Sequence, residues 1–136
     1  MTQEQKDKLL KYLCMALPNG LMVKVDRVGY VQTWELTPED IKKMWSYDSI
    51  KPYLRPMSSM TEEEEKKLIS MLPFDYGQTY FEKEKGRIEI FEANKNIFLY
   101  VDEFSDIVNF LLANHFDFMG LRPLGVAIDC TGLNIY

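Results

Sequence analysis

The sequence predicts an α+β fold: a single compact domain, residues 1–136, with about four helices packed on a small, mainly antiparallel sheet. Three observations predict it. Several segments carry apolar residues at helical spacing and open on good N-caps. Others alternate apolar and polar residues with a period of two. Proline, glycine and asparagine punctuate the boundaries between them. A chain of 136 residues buries roughly two-thirds of its unfolded surface in one core, and a second independent core has no room.

The first helix is expected over 3–17, with Leu9, Leu10, Leu13 and Leu17 on one stripe and Tyr12 and Ala16 widening it. Pro18-Asn19-Gly20 ends it. Leu21, Val23 and Val25 then share one face of a strand, Asp26-Arg27 turn the chain, and a second strand runs to Leu36. Thr37-Pro38-Glu39-Asp40 starts a short helix: threonine caps, proline fits the first helical position, and the acids face the positive end of the dipole. Ile41, Met44 and Trp45 form its apolar face. Residues 50–60, interrupted by Pro52 and Pro56, read as an irregular extended strap. Thr61 and Glu64 make a capping box for a helix over 62 to about 72. Residues 78–101 alternate as β structure, with turns at Lys85-Gly86 and Asn94-Lys95-Asn96. Phe104, Ile107, Val108 and Leu111 mark a fourth helix over about 103–114. A turn-rich stretch follows, then a short last strand within Val126–Cys130.

Composition narrows the function classes. Apolar residues make up 46% and charged residues 27%, which argues against a disordered chain. The net charge is −5, and residues 69–136 hold the whole acidic excess, with 5 basic and 10 acidic side chains. That balance argues against nucleic acid, which needs a concentrated basic face. Lys42, Lys43, Lys51 and Arg55 are near enough in sequence to form a local one. The longest apolar run, Tyr12 to Leu17, is far short of a membrane span, and the polar start is no secretion signal, so a cytoplasmic protein is expected. Cys14 and Cys130 stand without metal-ligand spacing, and Cys14, in an apolar helical run, reads as a small reduced core residue.

No catalytic motif and no metal or cofactor motif is present, and the seven glycines are too scattered for a phosphate-binding loop. His115 is the only histidine, so any histidine-dependent chemistry must use it. With Asp117 it has the spacing of a base and its orienter. Alternatively it packs at the helix C-terminus, where a cationic imidazole is favoured. The run Glu62–Glu65 reads as a solvated first turn rather than a metal site, because neighbouring helical positions diverge by about 100°. Arg55 is placed to reach a carboxylate within the fold or on a partner. Tyr53, Leu54 and Met57 either anchor an interface or fill the protein's own core.

Two stretches carry a resemblance. Lys51-Pro52-Tyr53-Leu54-Arg55-Pro56-Met57-Ser58-Ser59-Met60-Thr61-Glu62-Glu63-Glu64 is one. Asn109 to Leu121, with His115-Phe116-Asp117 and Gly120-Leu121, followed by Gly125-Val126-Ala127-Ile128, is the other. They resemble a family of small uncharacterised proteins from gut anaerobic bacteria and their phages or prophages. The resemblance implies a mobile-element accessory protein and transfers no catalytic residue. Three functional expectations follow. The first is a non-enzymatic accessory protein acting through a protein partner or as a homo-oligomer. The second is a small-ligand binder or enzyme centred on His115, Asp117 and Arg55. The third is a nucleic-acid-associated protein using the basic residues of 42–55.

Overall fold

The computed structural model describes residues 1–72, 78–92 and 95–136. Four α-helices are present among them: α1 (Gln3–Ala16), α2 (Pro38–Lys43), α3 (Glu62–Ser70) and α4 (Ser105–Ala113). The strands are β1 (Met22–Arg27), β2 (Tyr30–Glu35), β3 (Ser49–Leu54), β4 (Gln78–Glu82), β5 (Arg87–Glu92), β6 (Lys95–Tyr100) and β7 (Ile128–Asp129). The fold is α+β, with its strands divided between two sheets. One has the order β2-β1-β3-β7, with only the β3–β7 pair parallel; the other is the antiparallel meander β4-β5-β6.

Local sequence chemistry sets the helix starts. Capping boxes open α1 (Thr2 with Gln5), α2 (Thr37 with Asp40) and α3 (Thr61 with Glu64), each satisfying otherwise unpaired backbone donors. Leu9, Tyr12, Leu13 and Ala16 of α1 pack on Leu21, Val23 and Val25, as the periodicity predicts. Asp40 of α2 is buried rather than solvated. Its carboxylate accepts from the Trp34 indole (2.9 Å), the Thr37 backbone (2.8 Å) and the Tyr47 hydroxyl (3.0 Å). Burial raises its carboxyl pKa, and these donors more than offset that, leaving it below the usual carboxylate range.

Several expectations are corrected. Trp45 does not join Ile41 and Met44: the chain tightens into a 3₁₀ turn over Met44–Ser46, which rotates the tryptophan out to solvent beneath Lys6. Cys14 is exposed on the outer side of α1, and both cysteines are free thiols. Asp26-Arg27 are not a turn. The β1 strand continues through Arg27, and a two-residue loop, Val28-Gly29, makes the hairpin with Arg27 opposite Tyr30. Both loop residues have positive φ, 47° and 77°, as a primed hairpin turn requires. Valine is strained there, and its N–H is held by Asp48 Oδ2 at 2.8 Å. Of the second expected turn in the 78–101 region, Asn94 lies outside the described residues, while Lys95 and Asn96 begin β6.

The largest correction concerns 50–60. Its first half is not an irregular strap but β3, an inner strand of the four-stranded sheet. Antiparallel ladders explain how Pro52 is accommodated. Leu36 N–H donates to the Leu21 carbonyl, so odd-numbered residues of β1 turn their backbone groups to β2, and Met22, Lys24 and Asp26 turn theirs to β3. The matching β3 residues are Ser49, Lys51 and Tyr53. Pro52, opposite Val23, therefore directs its nitrogen away from β1, toward the side where β7 pairs only from Tyr53 onward. No ladder bond is lost there.

Each sheet packs its inner face against helices. Val23, Val25, Ile50 and Leu54 meet α1, Met44 and Leu121. Phe81, Ile88 and Ile90 meet Leu68 of α3 and Ile107, Phe110 and Leu111 of α4. The α4 helix serves both clusters, since its Leu112 belongs to the first. Among the described residues no helix is long and apolar enough to cross a membrane.

Two substitutions test this account by urea unfolding. Val28→Asn, relieving a β-branched residue from left-handed geometry at an exposed site, is expected to stabilise by about 1 kcal/mol. Asp40→Ala, which strands buried donors and removes half a capping box, is expected to cost about 2–3 kcal/mol. A neutral result for either contradicts the corresponding geometry.

Candidate functional site

The residues singled out in the sequence meet at one place, the end of α4. The helix closes in a Schellman motif: His115 N–H donates to the Leu112 carbonyl and Phe116 N–H to Leu111. His115 takes the left-handed position with φ 61°, where glycine or asparagine is usual. The chain then pairs with the end of β3. Arg55 N–H donates to the His115 carbonyl at 2.8 Å, and Asp117 N–H to the Arg55 carbonyl at 2.9 Å. Tyr12 of α1 donates its hydroxyl to the Phe116 carbonyl at 3.0 Å.

The side chains at this junction are engaged with the protein itself. The Arg55 guanidinium lies 4.1 Å from the Phe116 ring centroid and makes a forked pair with Glu64, at 2.9 and 2.8 Å. Glu64 is also the capping-box acid of α3. The hydrogen bond from Arg55, above all, lowers its pKa to about 2. Asp117 is buried, and its two oxygens accept from the backbones of Leu121 (2.8 Å) and Arg122 (2.9 Å), which shapes the following loop. The Arg122 guanidinium is 3.2 Å from the same carboxylate.

His115 does not use Asp117 as an orienter. Its imidazole stacks on Tyr136, with centroids 3.7 Å apart and planes 8° from parallel, and its buried Nδ1 has no hydrogen-bond partner among the described residues. Burial, and then the nearby Arg55 charge, lower its pKa. The ring is therefore favoured neutral, not cationic as its place at a helix C-terminus suggests. Tyr136 also closes the main sheet. Its hydroxyl accepts from Met22 N–H (3.0 Å) and donates to the Tyr53 carbonyl (2.7 Å), replacing one rung between β1 and β3. Tyr53, Leu54 and Met57 are all buried, and the Tyr53 hydroxyl meets Thr33 Oγ1 at 3.0 Å. Arg55, His115 and Asp117 thus converge in the fold, but Arg55 and Asp117 bond to the fold, His115 stacks on Tyr136, and no base–orienter pair forms.

The other sequence candidates disperse. Lys42 and Lys43 pair with Glu39 on α2, Arg55 turns to Glu64, and Lys51 sits opposite Lys24 across the sheet. Glu64 and Glu65 of the acidic run pair with Arg55 and Lys83. Among the described residues no three His, Cys, Asp or Glu side chains are grouped to hold a metal ion.

A surface that the sequence reading did not single out is the outer face of the three-stranded sheet. Registers align Tyr80, Glu89 and Phe98 in one row and Glu82, Arg87 and Tyr100 in the next, with Phe91 opposite Asn96. Tyr80, Phe91, Phe98 and Tyr100 are 44–60% exposed, although all four are large aromatics in regular strands. Arg87 lies 4.6 Å above the Phe98 ring and forms an ion pair with Glu82. A signal for this face exists in the sequence. Ile97-Phe98-Leu99-Tyr100 is apolar on both strand faces, so burying one face on the core leaves the other in water.

Compared with known proteins, the chain matches no family model, no curated protein and no solved structure. Its own geometry therefore carries the functional reading.

A pH titration of stability tests the placement of His115. The folded state resists the proton that the unfolded chain accepts near pH 6.5, so stability should fall as pH drops from about 6.5 toward 5. His115→Asn keeps a residue suited to positive φ and removes the titration. Its stability should fall less than that of the wild type over that window, the remainder coming from carboxylates such as Glu64 that begin to titrate at about pH 5 in the unfolded chain. A wild-type curve that is flat or rises on acidification contradicts the buried neutral ring.

Proposed function

We propose that this is a small non-enzymatic accessory protein that works through protein contacts in the cytoplasm, of the mobile-element kind that its sequence resemblance implies. One observation carries the reading: the four exposed aromatics Tyr80, Phe91, Phe98 and Tyr100 on one regular sheet face. Aromatic side chains that lose little entropy on ordering are what protein interfaces favour at their centres. The surrounding charges include Glu82 and Glu89 as well as Arg87, a mixed pattern that suits a protein surface better than a phosphate backbone. The unpaired thiols Cys14 and Cys130 accord with a reducing compartment. The ligand-binding alternative at Arg55, His115 and Asp117 is disfavoured, because Glu64, the Leu121 and Arg122 amides and the Tyr136 ring already engage those side chains.

The test compares wild type with Tyr80→Ser/Phe91→Ser, which alters only exposed side chains. Sedimentation velocity and affinity capture from host cytosol are run on both, with far-UV circular dichroism to confirm equal folding. The wild type is expected to form a complex, with itself or a captured protein, that the double variant loses. A wild type that sediments as a monomer and retains nothing the variant loses overturns the reading.

A further inference from the structure

Resting on the contact reading above, the edge of the same sheet specifies one occupant. The β6 strand is the last of the order β4-β5-β6, and among the described residues no strand pairs with its outer side. Its free backbone groups follow from the ladder. Val101 N–H donates to the Gly86 carbonyl, so Lys95, Ile97, Leu99 and Val101 turn their backbone groups toward β5. Asn96, Phe98 and Tyr100 turn theirs to the open edge. The Tyr100 N–H confirms the alternation, since it is met at 2.7 Å by the side chain of Glu103 instead of by a strand. An edge that is apolar at Ile97, Phe98, Leu99 and Tyr100 and lacks proline is a template for another strand.

We propose that this edge pairs with β6 of a second copy of the chain, antiparallel about a two-fold axis at Phe98, making one continuous six-stranded sheet. Three features select this partner and register. First, charge is complementary along the strand. Lys95 begins it, and the exposed acids Asp102 and Glu103 follow its end, so antiparallel superposition of two copies sets lysine beside acids at both ends. A parallel arrangement would set like beside like. Second, the edge-facing residues are Asn96, Phe98 and Tyr100, and only a register centred on Phe98 uses all three. Each Phe98 N–H then meets the other copy's Phe98 carbonyl, and each Asn96 N–H meets the other's Tyr100 carbonyl. Tyr100 N–H exchanges its own Glu103 carboxylate for the other copy's Asn96 carbonyl. Third, that register joins like surfaces. On the outer face the row Tyr80, Glu89, Phe98 continues into its own mirror sequence, and Tyr100 meets Asn96. On the inner face Ile97, exposed within one chain, meets Leu99, which is only partly buried. The arrangement is isologous and closed, which distinguishes it from edge-to-edge aggregation.

Light scattering on a size-exclusion column and disulfide trapping test the proposal. Wild type should run as a dimer. Phe98→Glu, which sets two carboxylates against each other across the axis while leaving the β5 ladder intact, should run as a monomer with an unchanged circular dichroism spectrum. Residues in a hydrogen-bonded antiparallel pair have α-carbons about 5.5 Å apart, within disulfide reach. In a Cys14→Ser background, Phe98→Cys should therefore oxidise to a covalent dimer and Asn96→Cys should not, because residue 96 faces residue 100 of the other copy. A monomeric wild type, a dimer indifferent to Phe98→Glu, or equal trapping at 96 and 98 overturns this interface. A monomer that still captures a host protein through Tyr80 and Phe91 sinks only the self-pairing, whereas a monomer that captures nothing sinks the contact reading as well.

Discussion

The structure depends on how the chain is held at Phe116. Its N–H closes α4 onto Leu111, its carbonyl receives the Tyr12 hydroxyl from α1, and its ring lies under the Arg55 guanidinium. The flanking residues, His115 and Asp117, bond the backbone of Arg55 at the end of β3. Arg55 in turn clamps Glu64, which caps α3. One buried residue thereby fixes the relative placement of three helices and a central strand. The two sheets share no strand and meet largely through α4 and this junction. Most of the polar groups buried there are paired, and the cost of unpairing one of them favours this arrangement of the junction over others.

This explains the two segments that stood out in the sequence. Lys51–Glu64 runs from an inner strand to a helix cap, and Asn109–Leu121 runs through the end of α4, past the junction, into the loop shaped by Asp117. Their unusual residues are the ones that meet across the junction: Arg55, Glu64, His115, Phe116 and Asp117. The residues expected to carry chemistry are structural in their contacts. The exposed aromatics lie elsewhere, on the three-stranded sheet.

Local rules were legible where local chemistry decides. Thr37-Pro38 and Thr61-Glu64 announced α2 and α3, and the spacing of Ile107, Val108 and Leu111 announced α4, because caps and periodicity act within a turn or two. What was not legible depends on partners far along the chain. Pro52 argued against a strand, and only the side toward which its nitrogen turns reconciles it with β3. Asp40 looked like an ordinary first-turn acid until Trp34 and Tyr47 closed over it. The alternation within 78–101 was visible, but which face meets the core is set by the placement of α3 and α4. The Arg55–Glu64 pair was foreseeable only as a cation seeking a carboxylate.

Native-state hydrogen exchange is the most direct measurement of the central claim. The amides of Arg55 and Asp117 donate across the junction, and that of Phe116 closes α4 beside it. If that junction unites the two packed clusters, these amides should exchange only through global unfolding, with the same opening free energy as amides inside β1 and α4. Exchange through a lower-energy opening confined to residues 114–121, with both clusters still protected, would contradict it.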